Sequence, residues 1–194
     1  MASWVPVIAG LLLPPSHAAT TSYSKACKSR ISDADADGVR SVRITCSWPE
    51  ISPESVEALF DRYDGYHRFV WALSATSVRR TEGERVLVWQ LQEVAGSAPR
   101  ESLVWIQGVD NVHGSRTYTW RTAADEPLAL TPGSVRATRN DGRWEIIPAA
   151  QGIDVVFEIA YSPGGWVPDW LVRWCQTLGA ELMMNEIRQL AVEA

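Results

Sequence analysis

The sequence predicts an α+β fold in which a curved antiparallel β-sheet is wrapped around a long C-terminal α-helix. Three observations support this prediction. Segments in which apolar and polar side chains alternate recur between residues 41 and 161, the period of half-buried strands. A helical pattern of apolar residues three or four apart then runs from Leu171 to Val192. Between them, Gly164 and Gly165 allow the backbone to turn sharply out of the last strand.

The first elements after the polar N-terminal part are predicted to be one strand and two short helices. Residues 42 to 48 alternate between apolar and polar side chains, as in a half-buried strand. Ser52 and Pro53 are typical of a helix start, because the hydroxyl caps a free amide and proline fits the first helical position. Gly65 ends this helix, and Tyr66 to Leu73 is predicted as the second.

A long antiparallel meander is predicted to follow the helices. Its strands are Ala75 to Arg80, Arg85 to Val94, Arg100 to Val109, Ser115 to Thr122, Val135 to Arg139, Arg143 to Pro148 and Ile153 to Tyr161. The tripeptide Asn140-Asp141-Gly142 has the composition of a tight hairpin turn. We therefore expect the chain to reverse there, between the fifth and sixth of these strands.

The terminal helix carries an unusually broad apolar stripe. Its members are Val167, Leu171, Trp174, Leu178, Leu182, Met183, Met184, Ile187 and Leu190. Apolar residues at this spacing occupy one side of a helix. A stripe of this width predicts a large concave partner, which the meander can supply.

The closing segment of the chain resembles that of START domains. Gly164-Gly-Trp-Val-Pro-Asp-Trp-Leu-Val172, followed by a terminal helix with the ending Glu186-Ile-Arg-Gln-Leu190, carries the resemblance. It covers residues 153 to 192, and only the order of elements matches further back. START domains are lipid-binding members of the SRPBCC or helix-grip superfamily. The resemblance implies a helix-grip fold, in which the terminal helix roofs a hydrophobic cavity.

One further detail is similar to START domains. Arg100-Glu101 stands immediately before an apolar strand, where START domains carry an Arg-acidic pair.

Composition and charge favour one globular domain that does not bind nucleic acid. The chain has 194 residues, 46% of them hydrophobic and 21% charged, which is typical of a folded domain. Its net charge is −5, whereas binding to phosphates needs clustered Lys and Arg.

Ten tryptophans are many for a chain of this length. Indole rings fill cores, and they also line apolar ligand pockets. The candidate pocket residues are Trp89, Trp105, Trp120, Phe157, Leu171, Trp174 and Leu178. The sequence does not determine which of the strand residues point into the cavity, because both faces of 103–106 and 155–159 are apolar.

The first 18 residues are predicted to be a secretory signal peptide. An apolar run from Trp4 to Leu13 is followed by Ser16-His17-Ala18, which has the form of a cleavage site. Residues 19–37 would then form a polar arm and residues 38–194 the START-like domain, in a periplasmic or secreted protein. The alternative is that residues 4–13 form an N-terminal strand or a membrane anchor.

Export to an oxidising compartment favours a disulfide between Cys27 and Cys46, which flank the start of the folded domain. This bond would fix the N-terminal arm to the sheet. Cys175, on the terminal helix, is predicted to be a small buried hydrophobic residue.

No catalytic residue, metal site or cofactor is predicted. The sequence lacks a phosphate-binding glycine loop, His-Glu-x-x-His, Cys-x-x-Cys and Gly-x-Ser-x-Gly. The resemblance to START domains, together with the tryptophan-rich meander and the predicted export signal, implies a protein that binds or carries a lipid or other hydrophobic small molecule in an internal cavity. Gly164 and Gly165 are the predicted hinge for ligand entry. We also expect the protein to contact a membrane transiently.

Two alternatives belong to the same superfamily. One is an enzyme that resembles polyketide aromatases and cyclases, which place polar groups inside the cavity. The other is a protein-interaction module whose interior is filled.

Overall fold

A computed structural model describes residues 27–70, 72–168, 171–172 and 175–193. The predicted signal peptide and Trp174 lie outside the described residues. Among the described residues, nine strands form one sheet: β1 (Cys27–Ile31), β2 (Ser41–Trp48), β3 (Leu73–Glu82), β4 (Arg85–Gln92), β5 (Arg100–Asp110), β6 (Arg116–Thr122), β7 (Val135–Arg136), β8 (Arg139–Pro148) and β9 (Ile153–Ser162).

The sheet is antiparallel except at β7. Its strand order is β1-β2-β9-β8-β6-β5-β4-β3, and β7 pairs with β5 in parallel. The predicted α+β helix-grip architecture, with a large antiparallel sheet and a C-terminal helix, is confirmed. Strand β1 lies within the segment predicted as a polar arm, so the two short helical segments follow the second strand of the sheet.

Among the described residues up to Val167, the helical segments are short. Helix α1 spans Pro53–Phe60, and a 3₁₀ segment spans Tyr63–Arg68. Ser52 caps α1 as predicted, since its hydroxyl accepts a hydrogen bond from Ser55 N at 3.3 Å. A short 3₁₀ turn lies at Val112–Gly114. The chain ends in a π-helical turn, Cys175–Gly179, and helix α2, Ala180–Glu193. Among the described residues, no helix has both the length and the apolar character needed to span a membrane.

The inner face of the sheet and the helices share one hydrophobic core. Cross-strand rows of buried residues build it, such as Ile44 beside Phe157 and Phe157 beside Trp144. From α2 the core receives Met183 and Ile187, among others. Burial of such side chains stabilises the fold by roughly 25 cal/mol per Å² of apolar surface removed from water.

The predicted disulfide is confirmed. Cys27 and Cys46 are bonded, with their Cα atoms 4.1 Å apart. They lie directly opposite each other in the pairing of β1 with β2. Because Cys46 is fully buried in the core, the bond ties the edge strand β1 to the core.

The predicted hairpin turn at Asn140-Asp141-Gly142 is wrong, because these residues lie within the continuous strand β8. The Asp141 carboxylate accepts hydrogen bonds from the Thr122 amide at 2.8 Å and the Thr122 hydroxyl at 2.9 Å. A Cβ atom at Gly142 would overlap the Trp120 ring and the Glu158 carbonyl. Gly142 therefore leaves room for the Trp120 indole, and the Asp141 carboxylate binds the neighbouring strand β6.

The predicted helical stripe is only partly correct. Met183, Met184 and Ile187 are buried, but Leu178 is 45% and Leu182 is 48% exposed. The π-helical turn explains the difference, since its i to i+5 hydrogen bonds add a residue to one turn and shift the following side chains around the axis. A strict 3.6-residue period therefore does not hold through this segment.

The loop from Ala123 to Ser134 lies against the outer face of β4 and β5, where Leu128 packs with Leu87 and Leu103. Glu101 fixes this loop, because its carboxylate accepts hydrogen bonds from the Thr131 amide at 2.7 Å, the Ser134 hydroxyl at 2.6 Å and the Trp89 indole at 2.8 Å. Burial alone would raise the pKa of Glu101, but these hydrogen bonds hold the pKa below its ordinary value of 4.5.

We expect Glu101→Gln to lower the free energy of unfolding by about 1–3 kcal/mol at neutral pH, since a charged acceptor of three hydrogen bonds is lost. A carboxyl group with a lowered pKa in the folded state contributes stability above its unfolded pKa, and this contribution is lost as the pH falls through the folded pKa. The difference between wild type and variant should therefore shrink below about pH 4.5. Denaturant unfolding at several pH values measures it.

The exposed Glu93 provides the matched control, Glu93→Gln. A loss of stability at Glu101→Gln no larger than at Glu93→Gln would contradict this role of Glu101.

Candidate ligand-binding cavity

An apolar cavity of about 150 Å³ lies between the inner face of the sheet and the C-terminal segment. Residues of β4, β5 and β9 contribute to one wall, and described residues between Pro163 and Met183 form the other. The lining side chains are mostly aliphatic or aromatic. They are Val70, Ala72, Gln92, Val94, Ser97, Arg100, Phe157, Ile159, Tyr161, Pro163, Val167, Leu171, Val172, Cys175, Ala180 and Met183.

A smaller compartment of about 60 Å³ adjoins this cavity. The two share the lining residues Val70, Gln92, Phe157, Ile159 and Met183. For scale, an engineered apolar cavity of about 150 Å³ binds benzene. The space in this conformation therefore suits a small apolar molecule or a short hydrocarbon tail.

Polar groups are concentrated at one end of the main cavity. Gln92 and Arg100 are directly opposite each other on β4 and β5. The Tyr161 hydroxyl donates a hydrogen bond to Gln92 Oε1. Burial raises the pKa of Tyr161, although the nearby Arg100 opposes this effect. Burial also raises the pKa of the Cys175 thiol. At neutral pH both groups are therefore uncharged, and the arginine is the charged group of this cavity wall.

The smaller compartment contains a separate network of buried polar side chains centred on Asn140. The Trp120 indole donates to Asn140 Oδ1 at 3.0 Å. Asn140 Nδ2 donates to Gln90 Oε1 at 2.8 Å and to Ser102 Oγ at 3.2 Å. Because these groups bond to one another, they can remain buried without a ligand.

The structure brings three of the predicted pocket residues to this region. Phe157 and Leu171 line the main cavity, and Phe157 and Trp120 line the smaller compartment. The Trp120 and Phe157 rings are stacked, with their centroids 6.1 Å apart. Whether they contact a ligand stays a prediction.

Trp89 and Trp105 lie on the opposite face of the sheet. They pack with Leu87, Leu103 and Leu128 in a second hydrophobic cluster. Two-residue alternation sets this facing, since Val88 and Val104 belong to the main core and their chain neighbours must point outward.

Arginine side chains cover both outward rings. The guanidinium groups of Arg79 and Arg80 lie 5.0 Å from the centroids of Trp89 and Trp105, respectively. The expectation that these two tryptophans line the cavity is therefore wrong. Leu178 is partly exposed and is not part of the lining, because the π-helical turn changes its position around the helix axis. Trp174 lies outside the described residues.

Sequence reasoning missed the polar end of the cavity. The pattern could have identified Ile159 and Tyr161, since they follow Phe157 at intervals of two on β9. Periodicity did not indicate that Arg100 and Gln92 point into the cavity, because a polar residue in a strand is usually solvated. Arg100 was singled out only as part of the Arg-acidic pair that is similar to START domains.

The predicted hinge glycines lie beside the cavity-lining Pro163 and Val167. Gly164 and Gly165 have φ angles of 66° and 60°, values that other residues rarely adopt. A Cβ at Gly164 would overlap the Arg136 carbonyl, whereas at Gly165 the nearest atom would be Val135 Cγ1 at 3.5 Å. The turn is therefore built for glycine at both positions, but only Gly164 is sterically crowded.

A second depression, of about 450 Å³, lies on the outer face and has a charged lining. Its arginines are ion-paired within the protein, as with Arg139 and Asp141 at 3.1 Å and Arg143 and Glu158 at 3.2 Å. Although larger, it offers little apolar surface, so we take the apolar cavity as the candidate site.

Comparison with solved structures identifies the architecture. A STAR-related lipid transfer protein from Xanthomonas axonopodis superposes with a TM-score of 0.76 at 18% sequence identity, over 87% of this chain and 94% of that chain. Human StAR-related lipid transfer protein 5 gives a TM-score of 0.77 at 10% identity, over 87% and 83% of the two chains. The chain has the START fold. No protein-family model and no curated protein sequence matches it.

The same fold relates the chain to an enzyme. Zhui aromatase/cyclase from Streptomyces sp. R1128 gives a TM-score of 0.56 at 13% identity, over 80% of this chain and 94% of that chain. At sequence identities this low, the superpositions establish a common fold only. The activity has to be argued from the residues of the site. In this START fold those residues are the apolar lining and its polar end.

Proposed function

We propose that this protein binds or carries a lipid or other hydrophobic small molecule in the cavity beneath its terminal helix. The apolar lining of the cavity, in the START fold, is the observation that carries the proposal. Two neighbours with this fold are named as lipid transfer proteins. Removing an apolar ligand from water gains roughly 25 cal/mol per Å² of buried surface, so sequestration needs no chemical reaction.

We further propose that the protein is exported to the periplasm or secreted, and that residues 1–18 are removed. The disulfide between Cys27 and Cys46 supports this, because such bonds persist in oxidising compartments. The intact mass of the exported protein tests the proposal, since a chain that retains residues 1–18 would contradict it.

The enzymatic alternative has one specific observation in its favour, the fold shared with an aromatase/cyclase. Acid-base catalysis requires a group that exchanges protons near the working pH. Among the described lining residues of the two compartments, the titratable groups besides Arg100 are the hydroxyls of Tyr66 and Tyr161 and the Cys175 thiol, and burial raises the pKa of all three. These groups are poorly suited to proton exchange at neutral pH, so we favour the carrier.

We expect Ala180→Leu to weaken ligand binding strongly without unfolding the protein. Ala180 lines the main cavity, and three added carbon atoms would occupy the space of the ligand. Binding of 1-octanol, a neutral apolar probe, should weaken at least tenfold in titration calorimetry. The free energy of unfolding should change by less than about 1 kcal/mol, whereas overpacking a filled core typically costs about 1–3 kcal/mol.

Ala124→Leu, at an exposed position of the outer loop, is the matched control and should bind 1-octanol as wild type does. A wild-type protein that binds no 1-octanol, together with a strongly destabilised Ala180→Leu, would instead indicate the filled interior of an interaction module.

Ligand entry is proposed to occur at the turn that precedes the terminal helix, during a transient contact with a membrane. Gly164 and Gly165 would act as the hinge. Trp166, beside the cavity-lining Val167, is 84% exposed. An indole ring is apolar with a polar N–H, which suits the boundary between membrane and water. These two features support opening at the hinge and docking through Trp166.

Stopped-flow release of bound 1-naphthol, into buffer or into phosphatidylcholine vesicles, separates the two parts. Alanine in the left-handed region costs at least about 1 kcal/mol. If opening relieves the positive φ of residue 165, Gly165→Ala should speed both releases about fivefold or more. Trp166→Ala should slow only the transfer into vesicles, by about threefold or more.

Gly83→Ala is the control for backbone strain, because Gly83 also has a positive φ, of 58°, but lies in the distant turn between β3 and β4. Release rates of Gly165→Ala within twofold of Gly83→Ala would exclude the hinge. Equal transfer to vesicles by Trp166→Ala and wild type would exclude the docking role.

A further inference from the structure

Arg100 is a buried cation in the wall of the main cavity. The residue is only 6% exposed. Nη1 donates to the Ala98 carbonyl and Nη2 to the Trp166 carbonyl at 3.4 Å. Nε has no hydrogen-bond partner among the described residues. The guanidinium group is therefore held in place by neutral carbonyl groups, with one donor unused.

No described carboxylate neutralises this charge. Glu101, the adjacent residue, points to the opposite face of the sheet and binds the outer loop. Gln92 and Tyr161, which lie at the same end of the cavity, are uncharged partners of each other. Burial of an unpaired charge costs several kcal/mol of stability unless a counter-ion compensates it.

The other buried polar groups of the cavity behave differently. Asn140 bonds to Trp120, Gln90 and Ser102, so that network is satisfied within the protein. Among the described lining residues of both compartments, Arg100 carries the one buried side-chain donor left without a partner. A fold that satisfies one buried polar cluster and leaves a cation open next to an apolar space has a place for an external anion.

We propose that the ligand is an anionic amphiphile, a medium-chain carboxylic acid whose carboxylate pairs with Arg100 while its hydrocarbon tail lies against Phe157, Ile159 and Met183. This inference rests on the proposed function and specifies its ligand. The tail length follows from the volume of the two compartments, which suits about eight carbon atoms on the scale of the benzene-sized cavity. Arginine is well matched to a carboxylate, since its planar N–H groups bind both oxygens.

Octanoate and 1-octanol form the test pair, because they share a tail and differ in the charge of the head. Titration calorimetry at neutral pH should show that wild type binds octanoate at least tenfold more tightly than 1-octanol, the gain expected of a charge-assisted hydrogen bond. Arg100→Gln should lose this preference, so that its affinities for octanoate and 1-octanol differ by less than about threefold. Arg100→Lys should retain part of the preference, since the charge remains without the planar fork.

Arg79→Gln is the matched control, because it makes the same substitution at an exposed position on the outer face. It should leave both affinities unchanged. Thermal unfolding adds a second readout. Without ligand, Arg100→Gln should melt no lower than wild type, since an unpaired buried charge is removed, and the rise in melting temperature that octanoate causes in wild type should disappear.

Asp169→Asn tests for an internal counter-ion, because Asp169 follows Trp166 by three positions and lies outside the described residues. An unchanged melting temperature of ligand-free Asp169→Asn supports the open cation. A fall in the melting temperature of both ligand-free Asp169→Asn and Arg100→Gln would overturn it, since it would reveal a pair within the protein.

Two binding outcomes separate this inference from the proposed function. If wild type binds 1-octanol as tightly as octanoate, the anionic ligand is wrong and the hydrophobic carrier stands. If wild type binds neither probe, both proposals fail.

Discussion

The packing of helix α2 against the inner face of the sheet is the interaction on which the cavity depends. The helix contributes Met184 and Ile187 to the core, where both are fully buried. Nearer its start, the small side chain of Ala180 and the flexible one of Met183 border the cavity, and there the space remains open. The same helix therefore closes the core at one end and leaves a hollow at the other. A bulky residue at its first turn would remove the hollow.

Two-residue alternation along β4 and β5 divides the polar and charged groups between the two faces of the sheet. Glu101 points outward and anchors the covering loop, whereas Arg100 points inward to the cavity. Adjacent residues thus have separate roles, one structural and one available to a ligand. This separation leaves the guanidinium group without its neighbour as a counter-ion, and it gives the apolar cavity a polar end.

The fold was largely predictable from the sequence, because it depends on periodicity and on a few strong local signals. The alternation of apolar and polar residues identified most strands. Ser52 correctly marked the start of α1, and Cys27 and Cys46 form the expected disulfide. The resemblance of the last forty residues supplied the architecture. Long-range packing determined what failed. The sequence around Gly142 is typical of a turn, yet this residue lies within β8. Glycine is needed there because a side chain would overlap the Trp120 ring.

The site was less predictable, since the facing of a strand cannot be read from its composition when both faces are apolar. Trp105 and Trp120 look alike in the sequence, but one packs under arginines on the outer face and the other lies beside the cavity. Leu178 moved out of the stripe because one π-helical turn changed the helical phase. The sequence singled out Arg100 only through the Arg-acidic pair that is similar to START domains, and the absence of a counter-ion is visible only in three dimensions.

Native mass spectrometry of the folded protein, purified from the cells that make it, tests the central claim most directly. The account predicts a non-covalent adduct with the mass of a small apolar molecule, which is lost when the protein is denatured. It predicts the same kind of adduct after octanoate is added to ligand-free protein. A folded protein that carries no adduct from its source, and accepts none from solution, would contradict the account.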